Sequence, residues 1–307
     1  LDACDGNPIL HFTVSSPSLR PQDYITVANI KHAGAMLYFR DIPRHHIDAT
    51  SINGDSGHWH ITAMTSISIE RHFSYDMDKA EFDTFADEYQ SLHAQNISVS
   101  GETPAFFAEY KLKDISDEMN RRGIAVRRLL DFGAGVGNSV PWARKYLPEA
   151  NITCADVSER SLEIAAGRFP GEATFAPIRG AKLPFASASF DTAYAMCVFH
   201  HIVHEEHHQA LVELHRVLEP GGTLVVFEHN PLNPLTVKAV NTCEFDANAK
   251  LITARKMKQA CLDAGFEKVH VQYRIFFPHM LAVLRPLERY MTDIPLGAQY
   301  AVYATKT

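Results

Sequence analysis

The residues best suited to hold a ligand are an aspartate ahead of three spaced glycines and a second aspartate further on. The run is Asp131-Phe132-Gly133-Ala134-Gly135-Val136-Gly137, and Asp156 lies 19 positions beyond Gly137. Glycine tolerates positive φ and lets the backbone approach a bound group, so such a run after a strand suggests a ligand-binding turn, although it also occurs as plain structure. A dinucleotide fingerprint, G-x-G-x-x-G, would need its third glycine at position 138; that residue is Asn138, and the third glycine is Gly137. Asp131 would repel a pyrophosphate and attract a cation. Register and charge thus favour a cationic, phosphate-free amino-acid ligand, with a nicotinamide-dependent oxidoreductase as the second reading. Asp156 closes the apolar run Asn151–Asp156, at the spacing where an acidic side chain accepts hydrogen bonds from a ribose in nucleotide-binding α/β folds. Ser158 is placed to cap the next helix, a role that would also explain the local pattern.

Histidines supply the candidate bases. His200 and His201 follow one apolar run and His229 follows another, where open α/β sheets gather their ligands. Imidazole titrates near neutrality, so His200 and His229 are the expected catalytic residues. The bland alternative is that one of His200 and His201 packs against the cleft while the other is solvated. Glu228 and Asn230 are placed to orient an acceptor, but Asn230-Pro231 is equally a turn pair. The run His204-Glu205-Glu206-His207-His208 spells the H-E-x-x-H of zinc proteases. Its setting at the start of a surface helix favours a solvated, histidine-rich face, and no metal is expected.

These residues need a framework. From Val126 onward, strands expected at 126–131, 151–156, 173–177, 190–197 and 222–228 are separated by helices near 138–147, 158–168 and 204–218, a pattern that indicates a parallel sheet covered on both faces. Ahead of them, Phe82, Phe85, Tyr89 and Leu92 recur at helical spacing. A further helix opens with Thr103 as cap and Pro104 at its first position, and stops at Gly123. The tail reads as a helix at 253–264 and two more strands, 269–277 and 300–305. Residues 1–76 hold seven of the 17 histidines and little periodicity beyond short candidate strands at 24–27 and 61–67. They are expected to be an extension separate from a main domain at 77–307. The chain begins at Leu1, so a processed chain or a fragment is expected, with Met77 a natural start for the main domain.

Composition limits the alternatives. The 307 residues are 46% hydrophobic and 21% charged, with a net charge of −7, and neither Arg121-Arg122 nor Arg127-Arg128 is long enough to suggest a nucleic-acid patch. The five cysteines are scattered, with no Cys-x-x-Cys pair, so a reducing, cytoplasmic setting without a disulfide framework is expected. Neither a membrane span nor a secretory signal is expected.

In series, these segments resemble the class I S-adenosylmethionine-dependent methyltransferases, particularly their small-molecule branch, over roughly residues 80–307. Leu183-Pro184-Phe185 with Ser189-Phe190-Asp191, Phe199-His200-His201-Ile202, and Arg216-Val217-Leu218-Glu219-Pro220-Gly221-Gly222 resemble the family's segments around its fourth and fifth strands. The resemblance implies an α/β, Rossmann-like fold with a seven-stranded, mostly parallel sheet, an antiparallel strand near one edge and helices on both faces. It also implies that Asp131, Gly133, Ala134, Gly135 and Gly137 hold the methionine part of S-adenosylmethionine. Asp156 would bind its ribose, Val157 would pack on the adenine, and Cys197 would lie beneath the sulfonium. Many relatives carry an acid near the adenine amino group; here Pro177-Ile178-Arg179-Gly180 has none. The stretches 227–236, Phe245-Asp246, 284–288 and 295–300 resemble a subgroup of bacterial methyltransferases. Residues 80–122 are expected to form a lid, and 230–250 with 278–298 the pocket of a small-molecule acceptor. Phe276, Phe277, Met280 and Leu281 would make that acceptor partly hydrophobic. A methyltransferase-like scaffold without activity is the remaining alternative.

Overall fold

The computed structural model describes residues 101–307 except 244, 245 and 247, together with the backbone of four strands in the first hundred residues. The chain separates into two compact units, Leu1–Phe73 and Ser74–Thr307. The boundary expected near residue 76 and the helix expected around Phe82–Leu92 lie outside the described residues.

The first unit holds β1 (Val27–Ala28), β2 (Leu37–Phe39), β3 (Ile42–Asp55) and β4 (His58–Ser68), paired antiparallel in that order. The run at 61–67 falls within β4. The rest of this sheet escapes the sequence pattern, because β3 is mostly polar and carries no alternation.

In the second unit, helix α1 (Pro104–Arg122) starts where Thr103 Oγ1 accepts the Phe106 amide and ends at Gly123, whose φ of +69° closes the last turn. It buries Leu112, Ile115 and Met119. Then follow β5 (Arg128–Phe132), α2 (Val140–Tyr146), β6 (Asn151–Asp156), α3 (Glu159–Arg168), β7 (Thr174–Pro177) and β8 (Phe190–Met196). After them come α4 (His207–Val217), β9 (Leu218–His229), α5 (Pro234–Asn241), α6 (Ala254–Asp263), β10 (Glu267–Arg274) and β11 (Gln299–Thr305). The seven strands lie in the order β10-β11-β9-β8-β5-β6-β7, and β11 runs antiparallel to both neighbours while the other pairs are parallel.

Strand β5 is buried on both faces: Leu129 joins one hydrophobic core and Leu130 the other, as expected for a parallel sheet between helices. No helix among the described residues is long and apolar enough to cross a membrane. Some boundaries differ from expectation: β9 begins at Leu218 rather than 222, and β10 ends at Arg274 rather than 277. His204–Glu206 is a 3-10 turn and α4 begins only at His207. His207 is buried, not solvated, and its Nε2 bonds the carbonyls of Phe199 (2.7 Å) and Ile202 (2.9 Å). The H-E-x-x-H letters therefore do not present paired ligands on one helix face.

Candidate active site

A cavity of about 360 Å³ opens at the carboxyl ends of β5, β6, β8 and β9. One wall is the glycine loop. Gly133 and Ala134 donate their amides to the Ala155 carbonyl (2.8 and 3.1 Å), which ties the loop to the end of β6. Gly133 has φ +77°, and a β-carbon there would sit 2.5 Å from Val198 Cγ2; Gly135, at φ +51°, faces open space. The first glycine serves close packing and the second leaves room for a ligand. The Gly135 amide donates to Asp156 Oδ2 (2.7 Å), and the Ser158 amide to Asp156 Oδ1 (2.9 Å). Both amides hold this carboxylate at the cavity edge, and a carboxylate oxygen can accept more than one hydrogen bond. Ser158 Oγ caps α3 by accepting from Ser161 N. Val157 and Ile178 add apolar lining, while Arg179 turns outward to Glu159.

Asp131 lies behind the loop, 2% exposed, accepting from Ser139 Oγ and from the Tyr194 hydroxyl (3.0 Å). Burial pushes its carboxyl up to about 7, against the pull of those two hydroxyls. An acid so placed needs little help from a nearby cation to ionise.

Cys197 stands at the end of β8 with φ +59°, a costly conformation for a residue with a β-carbon. Its thiol is 3.2 Å from Lys111 Nζ and 3.7 Å from Gln299 Nε2. Burial alone would push the thiol up; the Lys111 ammonium and His229 outweigh it and bring it down to about 7. Lys111 comes from α1 and Gln299 from β11, and neither is signalled by local sequence. Tyr110 of α1 donates to Gln299 Oε1, linking that helix to the sheet.

Beyond Cys197 the cavity wall is imidazole. His229, at the end of β9, lines the cavity, with its ring centroid 5.1 Å from that of His200. His200 is 2% exposed and its Nδ1 is 2.7 Å from Glu228 Oε2. The other oxygen of Glu228 accepts from the amides of Val198 (2.9 Å) and Phe199 (2.7 Å). Burial would lower the His200 imidazole, but the Glu228 and Asp246 carboxylates lift it to about 10. Burial and the neighbouring His200 hold His201 down at about 3. Both members of the His200–His201 pair thus point inward.

Glu228 is fully buried on this network, and Asn230 donates to the carbonyls of Pro295 (3.2 Å) and Gly297 (2.8 Å) while accepting the Leu232 amide (3.1 Å). Asn230 is thus a turn-builder. Leu235, Thr236, Ala239, Val240, Phe276 and Pro278 close the far side of the cavity. Met280 and Leu281, expected in the pocket, are instead 85% and 42% exposed, and Phe277 is not in the lining. Met280 and Leu281 belong to the 3-10 segment His279–Tyr290, which buries none of its residues.

Comparison with known proteins gives this geometry its family. A family model described as a methyltransferase domain matches residues 130–226. A ubiquinone/menaquinone biosynthesis C-methyltransferase of Pseudomonas putida is 30% identical over 173 residues, covering 47% of this chain and 67% of that protein. The chain belongs to the class I S-adenosylmethionine-dependent methyltransferase family. The corresponding enzyme of Ectopseudomonas mendocina is also 30% identical, over 46% of this chain and 66% of that protein, so the match spans about two thirds of these relatives' length. The methyltransferase fold recurs in a crystal structure from Thermotoga maritima described as an S-adenosylmethionine-dependent methyltransferase, possible histamine N-methyltransferase (TM-score 0.54, 20% identity, 75% of this chain and 99% of that one). It recurs again in Haemonchus contortus phosphoethanolamine N-methyltransferase 2 in complex with S-adenosyl-L-methionine (TM-score 0.51, 16% identity, 73% and 60%). The cofactor of the family is therefore S-adenosylmethionine, and the glycine loop, Asp131 and Asp156 fit it. The residues supply a carboxylate held at the cavity edge by two amides, an open-faced glycine and a buried acid behind the loop.

Proposed function

We propose that this chain transfers the methyl group of S-adenosylmethionine to a small, partly apolar acceptor. The observation that carries this reading is one cavity lined at one end by the glycine loop and Asp156 and at the other by His229, Leu235, Val240 and Phe276. Asp131, Gly133, Ala134, Gly135 and Gly137 hold the methionine end, Asp156 the ribose and Val157 the adenine, with Ile178 beside it in place of an acid. Cys197 lies beneath the sulfonium.

Methyl transfer is an in-line displacement in which the nucleophile's electron pair bonds to the methyl carbon and the carbon–sulfur pair returns to a neutral thioether. The protein has to align the two partners and keep water out. His229 takes the acceptor's proton where the acceptor is a hydroxyl, and His200 positions the wall beside it. The four described cysteines are free thiols, which suits a reducing, cytoplasmic setting.

Calorimetric titration with S-adenosylmethionine, S-adenosylhomocysteine and NAD tests the reading. The two sulfur compounds are expected to bind at micromolar levels and NAD not at all; the opposite result overturns it. Incubating the protein with methyl-labelled cofactor and a cell extract then identifies the acceptor by its label.

A further inference from the structure

We infer that His200, His201 and Asp246 form a binding site for a divalent transition-metal ion of the zinc class in the wall of the cavity. His200 Nε2 lies 3.6 Å and His201 Nε2 3.5 Å from the same atom, Asp246 Oδ1, and the three ligand atoms all fall within 4.8 Å of one another. Both separations exceed the roughly 2.7–3.2 Å of an N–H···O hydrogen bond. They match the ligand–ligand edge of about 3.4 Å in a tetrahedral site whose donors each stand about 2.1 Å from the ion.

The groups that would orient His200 are already in place. Glu228 Oε1 is fixed by two backbone amides, so its Oε2 accepts the Nδ1 proton of His200 at 2.7 Å. An ion at Nε2 would take the place of the proton held there between His200 and Asp246, while the Nδ1 proton stays on Glu228, so metal binding should release a proton. A carboxylate behind a ligating histidine is the usual way in which proteins fix the tautomer and orientation of such a ligand. Two imidazoles and one carboxylate suit zinc, cobalt or iron better than magnesium or calcium. Three protein ligands also leave one position open, the pattern of catalytic zinc sites. All three residues line the cavity, so the open position faces the acceptor.

The role of the ion rests on the methyl-transfer reading; its binding does not. An acceptor hydroxyl coordinated at the fourth position is acidified by the ion and gives its proton to His229. The oxygen's electron pair forms the new bond to the methyl carbon, and the carbon–sulfur pair returns to sulfur as S-adenosylhomocysteine. The acceptor is therefore a small molecule with an ionisable hydroxyl.

The test is titration of the untagged full chain, stripped with chelator, with Co²⁺. The expected result is one equivalent giving the strong visible absorption of four-coordinate cobalt. His201→Gln and Asp246→Asn should each abolish that band, and Glu228→Gln should weaken binding roughly 10–100-fold. Seven histidines in residues 1–76 also offer weak ligands, so the signal is taken against the Asp246→Asn variant. S-adenosylhomocysteine affinity, measured alongside, should stay within about twofold in the two ligand variants, which shows them folded; should either lose it, the other decides. Absence of the band, or its survival in both variants, overturns the site and leaves a proton bridging His200 and Asp246. S-adenosylhomocysteine binding without cobalt binding defeats this inference alone, whereas cobalt binding without S-adenosylhomocysteine defeats the methyl-transfer reading alone.

Discussion

Cofactor affinity should depend on pH through Asp131. In the free protein this carboxyl is buried and pushed up to about 7, so at pH 6 about one chain in ten carries it ionised and at pH 8 about nine in ten. A bound methionine ammonium favours the ionised form and returns the group toward its ordinary value near 4. Binding at pH 6 must then expel close to one proton, and affinity for S-adenosylhomocysteine should rise about tenfold, or about 1.4 kcal/mol, between pH 6 and pH 8. The same shift has a stability consequence of known sign. A carboxyl whose folded value lies above its unfolded one stabilises the fold fully below pH 4, and that stabilisation fades as pH rises through 7. Across that range the ligand-free protein should lose up to about 4 kcal/mol from this group. Calorimetry in buffers of differing ionisation enthalpy counts the expelled proton directly. Asp131→Asn, which keeps the shape and removes the charge, should bind more weakly at pH 8 and lose the slope. Affinity equal within twofold at pH 6 and pH 8 would refute the argument, as would an undiminished slope in the variant, because the histidines and Cys197 would then be its source.

Three further outcomes rest on the same geometry. Asp156→Ala should weaken S-adenosylhomocysteine binding by about 1–3 kcal/mol, the cost of an unpaired polar partner; calorimetric binding as tight as the parent's would remove the ribose assignment. Lys111→Leu should move the midpoint of Cys197 alkylation by iodoacetamide upward from about 7, and S-adenosylhomocysteine should protect the thiol in the parent; an unmoved midpoint in the rate–pH profile would show that the ammonium does not set it. Gly133→Ala places a methyl 2.5 Å from Val198 Cγ2, so it should destabilise the fold by about 1–3 kcal/mol, read as a fall of several degrees in thermal midpoint. A variant as stable as the parent would mean that the loop sits differently.

What the sequence made legible was whatever depends on neighbours in the chain. The strand ends at Asp131 and Asp156, the Thr103–Pro104 start of α1 and its Gly123 stop are local signals, and the structure places them within a residue or two of expectation. The glycine loop and Asp156, which line the cavity, were legible for the same reason. The side-chain pairings in the cavity wall were not, because they converge from distant segments: Lys111 meets Cys197 across 86 positions and His200 meets Glu228 across 28. His207 is a different case. It shares a helical face with Ala210, Leu211 and Leu214, all buried, so periodicity would have put it inside had the histidine-rich run not suggested a surface.

The hydrogen bonds from Asn230, Asn233 and Thr236 to the carbonyls of Gly297, Leu296 and Ala298 join the segment after β9 to the segment before β11. Both segments contribute to the side of the cavity proposed for the acceptor, and none of these bonds reaches the glycine loop or Asp156. The proposed cofactor side thus depends on strand ends, and the proposed acceptor side on this lacing between two segments. Such a division lets substrate preference drift, or be exchanged by transplanting the two laced segments as a pair, without retuning cofactor affinity. Exchanging only one of them would cut the lacing and lose both.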